Sequence, residues 1–282
     1  MLLVVKIGGT IGVDRDAICT DVADLVKNGE KVVVVHGGSA EIDALSTQLG
    51  YTPRFLTSTT GVRSRYTDAT TLDILTMAMV GRVKTTIVTL LQQMKINAVG
   101  LSGFDGALLQ AKRKPAIKAI IDDRIHIVRD DLTGRIQQVN THLLQLLLDG
   151  GYAPVVSPPA FDPAEGLLNV DADRTAAAIA SALGAEHLIM LSNVPGVLRD
   201  PADPGSLVTN VPPGGIDECL EWAKGRMKLK LIAAREALAN GVPSVIVGDS
   251  RLARPVYQAL AGEGTTLRPD ALSKQEQTSQ ER

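Results

Sequence analysis

Two short segments that join a predicted strand to a predicted helix place the strongest constraint on this chain. Residues 6–9 read Lys-Ile-Gly-Gly, residues 36–39 read His-Gly-Gly-Ser, and each segment ends an apolar, mostly β-branched run. Paired glycines let backbone N–H groups approach an anion, and a helix N-terminus adds its positive dipole end. The pattern predicts two adjacent corners that hold one triphosphate, with the Lys6 ammonium beside it. The alternative is two tight strand-to-helix turns of an α/β protein.

Composition excludes several classes of protein. The chain has 282 residues, 45% of them hydrophobic, and a formal net charge of −2, so no overall charge attracts nucleic acid or a membrane. Cys19 and Cys219 are far apart and form no C-x-x-C pattern, which argues against a disulfide framework or a metal site. The N-terminus lacks a signal-peptide pattern, and no apolar run is long enough to span a bilayer. We therefore expect a soluble cytoplasmic protein without nucleic-acid or membrane partners and without a metal site of its own.

Strands and helices alternate along the first part of the chain. Asp14 is placed to cap a helix that ends at Asn28-Gly29, and residues 31–36 form the next strand. Ser39 is placed to cap the following helix. This alternation predicts a parallel sheet with crossover helices.

A long helical pattern follows an irregular stretch. Residues 51–68 look irregular, and Asp68 then begins a pattern that reaches Gln93. The apolar face of this helix is wide enough for a core or a dimer seam. Gly81 within it is placed to allow close helix approach.

The remaining segments predict further strands and a division of the chain. Residues 117–121 and 124–128 should form a hairpin around Asp122-Asp123. Further strands are predicted at 96–101, 152–156, 187–192 and 242–247. The predicted division is an N-lobe over 1–165 for the amino-acid substrate, a C-lobe over 166–268 for the nucleotide, and a disordered polar tail over 269–282.

Five stretches in this order resemble those of the amino acid kinase family, most closely its acetylglutamate kinase branch. They are Lys6-Ile7-Gly8-Gly9, His36-Gly37-Gly38, Gly61-Val62-Arg63, Asn169-Val170-Asp171-Ala172-Asp173 and Gly225-Arg226-Met227-Lys228-Leu229-Lys230. Neither the Walker A pattern nor G-x-G-x-x-G occurs. The resemblance, which extends to about residue 267, implies an α/β fold of two lobes, a three-layer αβα sandwich around a mainly parallel sheet.

Phosphorylation of a carboxylate fits these residue types. A side-chain carboxylate with a pKa of about 4.3 is ionised at pH 7 and can attack a γ-phosphoryl group without a base, which leaves positioning and charge neutralisation to the protein. The resemblance implies ATP with Mg²⁺, phosphate neutralisation by Lys6 and Lys230, and Asp173 orienting both ammonium groups. The other implied roles are γ-phosphoryl binding by Gly8, Gly9, Gly37 and Gly38, binding of the substrate's α-carboxylate end by Arg63 and Asn169, and nucleotide contacts from Asn193–Val197 and Asn210–Gly215.

One loop departs from the acetylglutamate kinase pattern. The Gly61 loop is two residues longer, with Arg65-Tyr66 added. It resembles kinases that act on α-aminoadipate joined to the C-terminal glutamate of a small acidic carrier protein, LysW. This implies substrate contacts from Arg65 and Tyr66 and carrier docking by the cluster Lys112, Arg113 and Lys114. The alternatives are that Arg65 and Tyr66 pack the loop and that the cluster serves solubility.

The first hypothesis is therefore ATP-dependent phosphorylation of the distal carboxylate of carrier-bound α-aminoadipate, with carrier-bound glutamate as a further substrate. The runner-up is acetylglutamate kinase. A nucleotide-binding regulator without turnover is a third possibility, against which the intact Lys6, Asp173 and Lys230 argue. A nucleoside monophosphate kinase fits less well because Arg63 and Asn169 match the carboxylate-binding pattern. The resemblance also implies a homodimer.

Overall fold

A central eight-stranded sheet runs through the computed structural model, which describes residues 1–121 and 123–269. Six neighbouring strands are parallel, and the last two strands at one edge run in the opposite direction. In spatial order the strands are β16 (Asn210–Val211), β18 (Thr265–Leu267), β17 (Val245–Asp249), β13 (His187–Ser192), β1 (Leu2–Ile7), β2 (Lys31–His36), β10 (Ala153–Ser157) and β5 (Ala98–Ser102).

Helices cover both faces of this sheet, because its buried strands carry apolar residues on both sides. One core cluster joins the sheet to α5 (Thr141–Asp149), α6 (Ala172–Leu183), α7 (Gly215–Trp222) and α8 (Gly225–Ala239). The opposite cluster joins it to α1 (Arg15–Lys27), α4 (Lys84–Gln93) and α9 (Pro255–Leu260). The predicted three-layer αβα sandwich is confirmed. Both cysteines are buried and free.

Smaller sheets stand at the carboxyl-end side of the large one. One is β12 (Gly166–Leu168), β11 (Ala160–Asp162), β6 (Leu109–Arg113) and β9 (Gly134–Val139). Another is β4 (Arg63–Arg65), β3 (Phe55–Ser58), β7 (Ile117–Ile121) and β8 (Arg124–Val128). A two-stranded ribbon joins β14 (Val197–Leu198) to β15 (Leu207–Val208), and short 3₁₀ turns lie at Asp105–Ala107 and Pro204–Ser206.

Several local predictions are confirmed. Asp14 and Asp68 each accept a hydrogen bond from the backbone of the helix that they cap. The hairpin of β7 and β8 pairs Ile120 with Ile125, whereas Asp122 of its turn lies outside the described residues. Residues 270–282, which make up nearly all of the predicted tail, lie outside them as well.

Other local predictions are wrong. Gly38, not Ser39, is the N-cap of α2 (Ser39–Gln48), and the Ser39 hydroxyl donates to the Gly9 carbonyl at 2.7 Å instead. The stretch 51–68 contains the paired strands β3 and β4, because Leu56 of β3 packs with Tyr66 and with Ala119 of β7 in a small core. Residues 160–168, where the two predicted lobes meet, form the hairpin of β11 and β12. The division into lobes at residue 165 stays a prediction.

The helix after Asp68 is continuous but not uniform. It comprises α3 (Ala69–Thr76), a π-helical segment (Met77–Val83) and α4. Within the 25-residue helix 69–93, an 18-residue window has a mean hydropathy of 1.5, so by length and composition this helix could cross a membrane.

The packing of this helix accounts for its apolar character. Its regularly spaced apolar side chains, Leu72, Leu75, Met79, Val83 and Ile87, are all buried. Gly81 has no neighbour within 4 Å of the position that a Cβ would take, so no other helix of the described residues approaches it closely. A dimer seam along this helix stays a prediction.

Candidate active site

The two glycine corners pack directly against each other. A Cβ placed on Gly9 would lie 2.2 Å from the Gly38 nitrogen, and one on Gly37 would lie 2.8 Å from the Gly9 nitrogen. Real Cβ atoms do not approach other atoms this closely. The two corners can therefore pack together only because Gly9 and Gly37 have no side chain. The sequence suggests phosphate binding as the reason for these glycines, and the structure adds this backbone-to-backbone contact.

The N–H groups of the corners differ in their availability. The Gly37 N–H donates to the Ile7 carbonyl at 2.8 Å and is therefore already used. Within residues 1–121 and 123–269, the N–H groups of Gly8, Gly9 and Gly38 make no hydrogen bond to protein. The predicted four-glycine cradle thus keeps three free donors, and all four glycines line the same cleft.

Two lysines converge on one carboxylate beside these corners. The Lys6 ammonium lies 2.6 Å from Asp173 Oδ1, and the Lys230 ammonium lies 2.9 and 3.1 Å from Asp173 Oδ1 and Oδ2. The exposed fractions of the three residues are 5%, 7% and 6% for Lys6, Asp173 and Lys230. The structure therefore brings together the three residues predicted to be catalytic.

Local sequence explains how these side chains meet. Strand alternation sends Lys6 to the same side of the sheet as Val4, whose core cluster includes α6 and α8. Asp171 caps α6 by accepting from the Arg174 N–H at 2.9 Å, which places Asp173 in the first helical turn. Small residues on both helices, among them Ala177, Ala180, Ala233, Ala234 and Ala237, are buried between the elements and allow α6 and α8 to approach closely.

Burial and mutual charge set the protonation of this group. Burial by itself would raise the pKa of Asp173, but the charges and hydrogen bonds of Lys230 and Lys6 outweigh it and hold that pKa well below its usual range. Burial lowers the pKa of Lys230 to about 8 despite the attraction of Asp173. Burial and the charge of Asp173 raise the pKa of Asp171. The site therefore holds cations whose charge is only partly balanced by Asp173.

A cleft of about 1240 Å³ opens from these lysines toward the small sheet of β3, β4, β7 and β8. Arg63 and Asn169 line this cleft, and their contact with the amino-acid substrate stays a prediction. Arg63 is exposed, and its guanidinium lies 4.3 Å from the centre of the Phe55 ring. Asn169 donates its amide N–H to Thr67 Oγ1 at 2.9 Å, which fixes the amide and leaves its oxygen for another partner.

The two residues that lengthen the Gly61 loop lie in different surroundings. Arg65 lines the cleft and pairs with Asp43 at 2.6 Å. Tyr66 is buried, packs with Leu56, and donates its hydroxyl to Asp130, which raises the pKa of Tyr66 to about 12. Tyr66 is absent from the described lining of the cleft. Its predicted substrate contact therefore finds no support here, and it stabilises the loop.

The basic cluster at 112–114 does not form one surface. Arg113 is turned inward, where it donates to the carbonyls of Arg129 and Asp131 and pairs with Glu165 at 3.0 Å. Lys112 is exposed, whereas Lys114 lines the cleft. Strand alternation explains the divergence of Arg113 from its neighbours. Carrier docking by these three residues stays a prediction.

His36 has a structural part in the site that the sequence did not suggest. It is fully buried at the end of β2, with Nε2 2.7 Å from Ser157 Oγ and Nδ1 3.1 Å from the Gly37 carbonyl oxygen. Burial lowers the pKa of His36 to about 4, so the ring is neutral at pH 7. A neutral ring that bonds the Gly37 carbonyl helps to fix the peptide that carries the free Gly38 N–H.

A second pair that the sequence did not suggest lies along the cleft. Arg174 donates from Nε to Glu236 at 2.8 Å, and both residues line the cleft. They are 62 positions apart, so no sequence spacing could have joined them.

Of the predicted nucleotide loops, Asn193 and Val194 line the cleft, whereas 210–215 is absent from its described lining. No group of three metal-ligating side chains occurs among the described residues.

The sequence of this chain is similar to the sequences of known kinases. The chain matches the family model described as the amino acid kinase family over residues 1–249. It is 45% identical over 266 residues to the [LysW]-aminoadipate kinase of Deinococcus radiodurans, covering 94% of this chain and 91% of that protein. It is 45% identical over 269 residues to that of Thermus thermophilus, covering 95% and 100%. The [LysW]-aminoadipate/[LysW]-glutamate kinase of Saccharolobus solfataricus is 36% identical, covering 94% and 99%.

Solved structures show the same fold at lower identity. N-acetylglutamate synthase from Neisseria gonorrhoeae superposes with a TM-score of 0.79 at 24% identity, covering 96% of this chain but 60% of the synthase. Carbamate kinase from Giardia lamblia bound to AMP-PNP gives a TM-score of 0.66 at 15% identity, covering 95% of this chain and 98% of that one.

Proposed function

This chain belongs to the amino acid kinase family, and from that premise we propose that it transfers the γ-phosphoryl group of ATP to the distal carboxylate of α-aminoadipate carried on LysW. The product is an acyl phosphate. The relatives at 45% identity carry this activity in their names, and they match the chain nearly from end to end. Carrier-bound glutamate is the second candidate substrate, because relatives at 36% identity are named for both amino acids.

The observation that carries the proposal is the buried convergence of Lys6 and Lys230 on Asp173 beside three free glycine N–H groups. Phosphoryl transfer between two anions requires neutralisation of charge on the transferring group more than it requires a base. The two ammonium groups supply the charge. Asp173 holds both in place, so they do not reorganise when the phosphate arrives. The free N–H groups of Gly8, Gly9 and Gly38 would donate to the γ-phosphoryl oxygens.

The acceptor needs no general base in this site. Its carboxylate is ionised at pH 7 and attacks the γ-phosphorus directly while the bond to the β-phosphate oxygen breaks. His36 is neutral and fixed by Ser157 and the Gly37 carbonyl, so it serves the backbone and not proton transfer. Arg63 and Asn169 would bind the α-carboxylate end of the amino acid and keep the distal carboxylate aimed at the lysines.

Magnesium fits this site as a companion of ATP. The cleft carboxylate Asp173 is occupied by two lysines, and one oxygen of Asp171 caps α6. Phosphate oxygens would therefore supply most of the ligands, and a bound Mg²⁺ would neutralise part of the phosphate charge.

A homodimer remains part of the proposal, and light scattering tests it.

The decisive experiment offers ATP with each candidate acceptor separately. The acceptors are LysW carrying α-aminoadipate, LysW carrying glutamate, and free N-acetylglutamate, and hydroxylamine traps the acyl phosphate. We expect turnover on carrier-bound α-aminoadipate. Turnover on N-acetylglutamate alone would replace the proposal with the acetylglutamate kinase reaction. ATP binding without turnover on any acceptor would favour a regulator.

A further inference from the structure

One face of the small sheet β4-β3-β7-β8 is exposed and apolar. Residues opposite each other in neighbouring strands share a face, and Ile120 is paired with both Thr57 and Ile125. Ile127 lies two positions along from Ile125 and therefore on the same face. The exposed fractions of Ile120, Ile125 and Ile127 are 42%, 66% and 51%. Exposed apolar side chains grouped in this way mark interaction surfaces more often than isolated ones do.

The same face carries positive charge. Lys118 is opposite Ile127, Arg63 is opposite Thr57, and Arg65 is opposite Phe55, which is itself 40% exposed. None of the described strand residues on this face is acidic. On the other side of the sheet, Leu56 and Ala119 are buried in a small core. The exposed face is therefore a stable surface that combines isoleucines with cations, which we name the isoleucine face: Phe55, Arg63, Lys118, Ile120, Ile125 and Ile127.

The isoleucine face is continuous with the amino-acid end of the cleft. Phe55, Arg63 and Lys118 line the cleft, and the three isoleucines continue the same face outward from it. An α-aminoadipyl group has roughly the length of two extended residues, about 7 Å. A protein attached to that group must therefore stand at the mouth of the cleft while the distal carboxylate reaches Lys6 and Lys230.

We infer that the isoleucine face docks the acidic carrier protein that presents the amino acid, an inference that rests on the proposed function. The isoleucines would be covered by apolar side chains of the carrier, and Lys118 would face its carboxylates. Apolar contact supplies affinity, and charge complementarity sets orientation and the rate of encounter. This surface, and not the divergent cluster at 112–114, is then the main docking site.

The test compares the double variant Ile125→Asp/Ile127→Asp with the wild-type enzyme. The substrates are LysW carrying α-aminoadipate and, as a small probe, N-acetyl-α-aminoadipate. We expect KM for the loaded carrier to rise by at least about tenfold with little change in kcat, because two carboxylates would be placed against an acidic, partly apolar partner. The matched control is Leu146→Asp on α5, which is 61% exposed and outside the described cleft lining; its KM should not change.

Other outcomes are equally informative. An unchanged KM overturns the docking inference, and so does a change in oligomeric mass by light scattering without a change in KM, because a second copy would then cover the face. If the double variant loses thermal stability, the single variant Ile125→Glu, which replaces the most exposed of the three isoleucines and lies outside the described cleft lining, decides in its place. It should raise KM for the carrier and leave turnover of the small probe intact. Absence of wild-type turnover on loaded LysW would instead overturn the proposed function.

Discussion

The two ends of the cleft are built on different physical principles. At the phosphoryl end, Lys6, Asp173 and Lys230 come from three elements and are more than nine-tenths buried, so each charge has a single well-packed arrangement. At the amino-acid end, Arg63 is exposed on a short strand and is held mainly by stacking on Phe55. Removing one member of a buried charge group is costly, whereas exposed cations are tolerant of change. A reaction can therefore stay fixed at one end while the substrate differs at the other.

The largest expected effect lies at the phosphoryl end. Lys230→Ala should lower kcat by about 10²- to 10³-fold, because it removes a charge aimed at the transferring phosphoryl group. Binding of ATP, measured by calorimetry, should weaken far less. Lys228→Ala is the matched control, since Lys228 lies on the same helix but is absent from the described cleft lining. Equal turnover of wild type and Lys230→Ala would contradict the assigned role.

The glycine corners should give the next largest effect. In Gly9→Ala the new Cβ would lie 2.2 Å from the Gly38 nitrogen, so the two backbones must separate. We expect turnover to fall at least about tenfold and the free energy of unfolding to fall by about 1–3 kcal/mol. Gly81→Ala, whose Cβ meets nothing within 4 Å, should be neutral or stabilising by up to about 1 kcal/mol. A fully active, stable Gly9→Ala protein would show that the corner contact is dispensable.

The pH dependence of the reaction probes the same end. The pKa of Lys230 is about 8 in the free protein, so its ammonium is charged below that pH and loses its proton as the pH rises through it. Because kcat/KM reports the free enzyme, kcat/KM should fall by about tenfold per pH unit above that value. The kcat should fall only at higher pH, since bound phosphate favours the charged amine. A kcat/KM that stays level well above pH 8 would contradict this.

The smallest expected effect separates packing from substrate binding at the amino-acid end. Tyr66→Phe keeps the buried ring and removes only the hydrogen bond to Asp130. The free energy of unfolding should fall by about 0.5–1.5 kcal/mol in denaturant titrations, with KM for the amino-acid substrate unchanged. A raised KM at unchanged stability would instead support the substrate contact that the resemblance implies for Tyr66.

Local chemistry made much of the fold predictable. Runs of β-branched residues, the caps Asp14 and Asp68, and the terminal pair Asn28-Gly29 act within a few residues of the elements that they define. The hairpin of β7 and β8 was predictable for the same reason. The strands β3 and β4 were not, because three or four residues hold little periodicity and their partners, such as β7, come from far along the chain.

The candidate site divides in the same way. Five sequence motifs in a fixed order, through their resemblance to the amino acid kinase family, were enough to predict which residues form the phosphoryl end. The pairing of Arg174 with Glu236 and the use of the Gly37 N–H within the backbone became visible only in three dimensions. The same is true of three further features: Tyr66 is buried, the side chains of residues 112–114 point in different directions, and three isoleucines share one face. Those outcomes depend on which side of an element faces which neighbour, and that is set by packing between segments that lie far apart in the chain.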